Sequence, residues 1–148
     1  ASDVYKRQDL DIVHCEYEGN QSGGVLTIHN ADRAHIHDIV YEDIRVEDAQ
    51  EKFVDIKVLD SKYSLDRKRG SVENIYFRNV EILNGNFPVS IIRGFEMHTE
   101  MSRPRNIYFD NVVVLGKKVE SPSDLHMVVE LSDDILFNGT AHAKRNPF

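Results

Sequence analysis

The chain has 148 residues and a formal net charge of −7, with 41% apolar and 29% charged residues. This size and composition are typical of one globular domain and exclude an intrinsically disordered chain. The chain is acidic and has no basic run, which argues against general nucleic-acid binding. It has no long apolar stretch, which argues against a membrane span, and its single cysteine, Cys15, excludes an intrachain disulfide framework.

Residues 1–8 differ in origin from the rest of the chain. Their sequence resembles the in-frame translation of a transposase adapter that is used to prepare sequencing libraries. We therefore exclude residues 1–8 from the fold prediction as an artefact, and expect that the first part of the native domain is missing. Residues 9–137 are predicted to form the C-terminal part of a single domain, and residues 138–148 a polar tail.

A ten-residue pattern occurs at residues 37–46, 73–82 and 105–114, and its second half occurs once more at residues 9–12. In the second copy the apolar residues alternate from Ile75 to Phe77, which indicates a strand. The next apolar residue, Val80, comes after a step of three, so a straight strand would turn it to the wrong face. The pattern therefore predicts a bend in each copy, at residues whose types tolerate left-handed backbone: Asp43, Asn79 and Asn111.

Further strands are predicted between the copies, at Val25–His29, Phe53–Leu59, Val89–Ile92 and Met127–Leu131. Simple alternation turns Val89 and Ile91 inward and Ser90 outward in the third of them. Three short strands per repeat, without a 3.6-residue apolar stripe, predict an all-β solenoid, a parallel β-helix of about four coils.

This coil pattern resembles the right-handed parallel β-helix of the pectin-lyase-like superfamily, whose bends carry a stacked Asn ladder. It is most similar to the C-terminal coils of bacterial polygalacturonase-like glycoside hydrolases, which often read like residues 106–112 followed by 116–119. The resemblance implies an extracellular or periplasmic enzyme that hydrolyses pectic or related polysaccharide with carboxyl groups as acid and base. It implies a monomer when full length, with a polysaccharide or oligosaccharide as partner and without a cofactor, a nucleic acid or a membrane.

The resemblance also places the substrate along the outward face of the strands between the copies, where the candidate substrate-binding residues are His29, Asp55, Lys57 and Arg93. His29 followed one coil later by Asp55-Ile56-Lys57 is similar to the Gly-His-Gly and Arg-x-Lys motifs of polygalacturonases. It departs from them because His29 is not flanked by glycines and Asp55 stands in place of Arg. The catalytic carboxylates are then expected upstream of this fragment, which by itself is expected to be inactive.

Three other interpretations stay open on the sequence alone. The parent protein is alternatively a non-catalytic carbohydrate-binding or structural β-helix, or a polysaccharide lyase, and the outward charges are alternatively ordinary solvated side chains. Several histidines and Cys15 raise the question of a metal site, and His35 and His37 share one strand face. The sequence has neither a CxxC nor an HExxH framework, so we predict no metal site here.

Overall fold

The computed structural model describes residues 2–3, 10–12, 24–47, 49, 52–85 and 89–141. These residues form an all-β structure with one short 3₁₀ helix at Pro122–Leu125. The strands are β1 (Ser2–Asp3), β2 (Leu10–Ile12), β3 (Leu26–Asn30), β4 (His35–Val46), β5 (Lys52–Val58), β6 (Ser71–Ile82), β7 (Val89–Arg93), β8 (Phe95–Met97), β9 (Glu100–Ser102), β10 (Arg105–Val114), β11 (Lys117–Lys118), β12 (Met127–Glu130), β13 (Asp133–Phe137) and β14 (Thr140–Ala141).

The chain alternates between two sheets whose main strands are parallel. The long sheet has β4, β6, β10 and β13 side by side, with β1 and β2 pairing along β4. The short sheet has the order β12-β7-β5-β3. In the long sheet the three sequence copies pair in register, because Ile39 pairs with Ile75 and Ile75 pairs with Ile107, which confirms the predicted repeat. Ile107 pairs in turn with Ile135 on β13.

The predicted bends are present in all three copies of the repeat. Asp43, Asn79 and Asn111 have left-handed backbone, with φ of 58°, 50° and 50°. The Asn79 amide donates to Asp43 Oδ1 at 3.1 Å, and the Asn111 amide donates to Asn79 Oδ1 at 2.8 Å. The bend residues therefore form a hydrogen-bonded ladder across the long sheet, which satisfies their polar side chains.

A second column of left-handed residues crosses the long sheet near the start of its strands. It was not predicted, although the step of three from Val72 to Ile75 carries the same signal as the step at the first bend. The Asn106 amide donates to Asn74 Oδ1 at 3.1 Å. The column consists of Asp38, Asn74, Asn106 and Asp134, with φ between 51° and 56°.

The core lies between the two sheets, where equivalent residues of successive strands stack on one another. Phe77, Phe109 and Phe137 are fully buried, with ring centroids 4.8 and 4.9 Å apart, and Tyr41 extends the stack on Phe77 at 5.1 Å. Each of these buried aromatic side chains contributes roughly 1.5–3 kcal/mol through removal of apolar surface from water. Because the copies pair in register, aromatic residues at equivalent positions of successive strands stack on one another in the core.

The predicted orientation of β7 is wrong. Ser90 and Ile92 are fully buried, whereas Val89 is exposed and Ile91 lies on the outer face. The reason is a bulge in β5, because Lys52 pairs with Val89 while Asp55 pairs with Ile91, so that three steps on β5 oppose two on β7. The Ser90 hydroxyl accepts a hydrogen bond from the Val54 N–H at 3.3 Å, inside the core.

Candidate functional site

Three of the four candidate residues lie in one line across the outer face of the short sheet. His29 on β3 pairs in register with Lys57 on β5, and Lys57 pairs with Arg93 on β7. Glu130 on β12 continues the line beside Arg93. We call these four residues the outer row. Since the strands are parallel and in register, side chains from four separate parts of the chain project side by side.

The fourth candidate, Asp55, lies two residues before Lys57 on β5 and is the centre of an ion cluster. Its side chain has no exposed surface, and its Oδ2 lies 3.1 Å from the ammonium groups of both Lys52 and Lys57. The Lys57 ammonium is also 2.9 Å from Oδ1, and His29 Nε2 is 3.2 Å from Oδ2. We call Asp55 with His29, Lys52 and Lys57 the Asp55 cluster.

The carboxyl group of Asp55 is ionised at neutral pH. Burial raises its pKa, but hydrogen bonds from Lys57 and Lys52 outweigh this effect and hold the pKa below the ordinary value. A buried carboxylate with two ammonium partners is a fixed negative charge that orients its neighbours. It does not have the raised pKa of a general acid.

Arg93 belongs to the outer row but not to the Asp55 cluster. Its Nε donates to Glu130 Oε2 at 2.6 Å, and both side chains are about half exposed. An exposed ion pair of this kind contributes little to stability, so its groups exchange partners at low cost. Arg93 is therefore able to bind a ligand carboxylate in place of Glu130.

Lys52 is the member of the Asp55 cluster that the sequence did not indicate. It lies three residues before Asp55, and strict strand alternation would place the two side chains on opposite faces. The bulge in β5 brings them together. Because a bulge depends on the neighbouring strand, no local signal in residues 52–55 could have shown this contact.

Apolar side chains lie beside the charged groups on the same outer face. Ile91 pairs with Asp55 on one side and with Val128 on the other, and Val89 precedes it on β7. Val89 and Val128 are 41% and 42% exposed. The face thus combines fixed charges with an apolar strip, as carbohydrate and cofactor sites do.

The histidines suspected of metal binding are occupied by acidic partners. The His35 Nε2 lies 2.7 Å from Glu73 Oε1, and His37 Nδ1 lies 2.7 Å from Asp38 Oδ2. Within the described part of the chain, no group of three or more His, Cys, Asp or Glu side chains is arranged to hold a metal ion. His14 and Cys15 lie outside the described residues.

Comparisons with known proteins assign no relative to this chain. No family model and no curated protein matches the sequence, and no solved structure matches the fold. None of the helical segments in the described residues has the length and apolar character to cross a membrane.

Proposed function

We propose that the successive turns of the chain, each of which gives one strand to each sheet, are coils of a right-handed parallel β-helix of the pectin-lyase-like type, and that the outer face of the short sheet binds an acidic polysaccharide. The coil pattern is supported by the alternation of the chain between two parallel sheets and by the two columns of Asn and Asp residues. The proposed ligand is a pectic or similar chain with carboxylate groups. The proposed place of action is outside the cytoplasm.

The observation that carries the proposal is the outer row beside the Asp55 cluster. Lys57 is held against a fully buried carboxylate, and the neighbouring Arg93 is half exposed. Cations that are already oriented lose little conformational entropy when they bind a carboxylate, and charge-assisted hydrogen bonds are the stronger kind. The exposed valines and Ile91 suit the apolar faces of sugar rings.

The described residues support binding more strongly than hydrolysis. Glycoside hydrolysis needs one carboxyl group that stays protonated and a second that activates water or attacks the sugar. Asp55 is ionised and enclosed by cations, and Glu130, the other acid of the outer row, is paired with Arg93. We therefore assign Asp55 a positioning role, and the hydrolytic activity of the parent protein stays a prediction from the resemblance.

The experiment is isothermal titration of the 148-residue chain with trigalacturonate and with neutral galactotriose. We expect trigalacturonate to bind and galactotriose to bind at least tenfold more weakly, because only the former carries carboxylates. Arg93→Gln is expected to weaken trigalacturonate binding by roughly tenfold, through loss of a charge-assisted contact.

The matched control is Arg45→Gln. Arg45 is also about half exposed and ion-paired, with Glu81, but it lies on the long sheet. Its replacement removes the same net charge and is expected to change the affinity by less than twofold. Equal affinities for the two trisaccharides, or equal losses in the two variants, would contradict the proposed function.

A further inference from the structure

A second polar site lies where the strands of the short sheet end. The connections that follow β3, β5 and β7 leave the carboxyl edge of this sheet, and together with the first residues of β6, β10 and β13 they line an open cavity of about 460 Å³. This volume is in the range of small-ligand sites. Four arginines line it: Arg33, Arg69 and Arg103 lie in three different connections, and Arg105 is the first residue of β10.

Arg69 is the least exposed of these arginines, with only 2% of its side chain exposed. Its terminal nitrogens donate to the Leu59 carbonyl, the Ser64 hydroxyl and the Asp66 carbonyl, which closes the loop between β5 and β6. Its Nε is buried without a hydrogen-bond partner in the described part of the chain. A buried, unpaired guanidinium N–H is unusual in a folded protein.

All four arginines have acidic partners: Arg69 Nη1 lies 3.7 Å from Asp60 Oδ1, and Arg33, which is 72% exposed, lies 2.6 Å from Asp66 Oδ1. Glu100 and Asp133 also line the cavity, so the arginines exceed the acidic residues in the lining by two. Arg105 donates to Glu73 at 2.6 Å with 60% of its side chain exposed, and Arg103 lies 3.3 Å from Asp133. Ser71 and Ser102 also line the cavity. Guanidinium groups with hydroxyls are the donors that recognise an oxyanion on a sugar.

We propose that this cavity, at the carboxyl edge of the short sheet, binds an oxyanion carried on a sugar residue, such as the carboxylate of a uronate. The choice of a sugar as carrier rests on the proposed function, whereas the site for an oxyanion does not. The cavity is separate from the outer row, because none of its lining residues belongs to β3, β5, β7 or β12.

The test follows the backbone amide signals of Gly70, Ser71 and Ser102 by NMR during titration with monomeric galacturonate, with inorganic phosphate and with neutral galactose. We expect saturable shifts with galacturonate and none with galactose. Equal binding of phosphate would support the oxyanion site and assign it to a small free anion, whereas preference for galacturonate would support the sugar. Absence of saturable shifts with both anions, or equal shifts with galactose, would overturn the proposal.

Variants separate this site from the outer row. Arg105→Gln is chosen because its exposed side chain is not needed to close the loop, and it is expected to weaken galacturonate binding about five- to tenfold. Arg103→Gln is a second variant with the same expectation, and Arg45→Gln is the control. Arg93→Gln is expected to leave binding in the cavity unchanged while it weakens trigalacturonate, so the two proposals fail independently.

Discussion

Replacing Asp55 by asparagine removes the negative charge at the centre of the Asp55 cluster and keeps the size of the side chain. The asparagine oxygen can still accept hydrogen bonds, but its NH₂ group faces the ammonium groups, which have no acceptor. Lys52 and Lys57 are only 16% and 18% exposed, so their charges lose a partner without gaining full hydration.

Removing one partner of a buried ion pair costs about 3–5 kcal/mol, and the partial exposure of the two lysines reduces this to roughly 2–4 kcal/mol. For a chain of this size, we expect Tm to fall by about 6–12 °C. The free energy of unfolding is measured by urea denaturation at pH 7, followed by circular dichroism. The control is Glu130→Gln, which breaks an exposed pair on the same face and is expected to cost less than about 1 kcal/mol.

The pH dependence tests the cause of this loss. The pKa of Asp55 is lowered in the folded state, so its charge stabilises the fold above the ordinary carboxyl pKa of about 4, and this contribution is lost as pH falls through the folded-state value. The difference between the wild type and Asp55→Asn should therefore shrink as the pH falls below 4. A difference under about 0.5 kcal/mol at pH 7, or one that stays constant down to pH 2, would refute the reasoning.

Substitutions at three further positions test the fold. Asn79→Ala is expected to lower the free energy of unfolding by about 2–3 kcal/mol, because it removes the ladder hydrogen bonds and strains the left-handed backbone. Asn79→Gly also removes these hydrogen bonds, but it is expected to cost about 1 kcal/mol less because glycine tolerates this backbone. Equal losses of stability in urea denaturation would contradict this. Phe109→Ala is expected to cost about 3–5 kcal/mol by opening a cavity in the aromatic stack, and a loss below 1 kcal/mol would disprove the packing. Hydrogen bonds from the Lys117 ammonium and the Glu120 N–H lower the pKa of Asp124 to about 2. Asp124→Asn is therefore expected to lower the free energy of unfolding by about 1–2 kcal/mol at pH 7, and this difference should vanish as the pH falls through 2. A difference that persists at that pH would argue against these hydrogen bonds.

The long sheet was predictable because its pattern is local and repeated. The step of three from Phe77 to Val80 shows where the strand must bend, and the Asn or Asp at that point identifies the residue that bends. The same step from Val72 to Ile75 was available and predicts the second column. Such signals are strong because one misplaced turn would move every later side chain to the wrong face.

The short sheet was less predictable because its neighbours decide its orientation. Val89-Ser90-Ile91-Ile92 contains apolar residues in both phases, so alternation alone cannot choose the buried face. The bulge in β5 makes the choice, and it also brings Lys52 to Asp55. The arginine cavity was not predicted either, since its residues come from segments that are far apart in sequence.

We propose that an acidic glycan binds along the outer row of the short sheet. The most direct measurement is a map of backbone amide shifts in the isotope-labelled chain on addition of trigalacturonate. We expect the backbone amide signals of His29, Lys57 and Arg93 to shift together, because these residues lie in register on three neighbouring strands that are distant in sequence. Shifts confined to the outer face of the long sheet, or no saturable shifts at these residues, would contradict it.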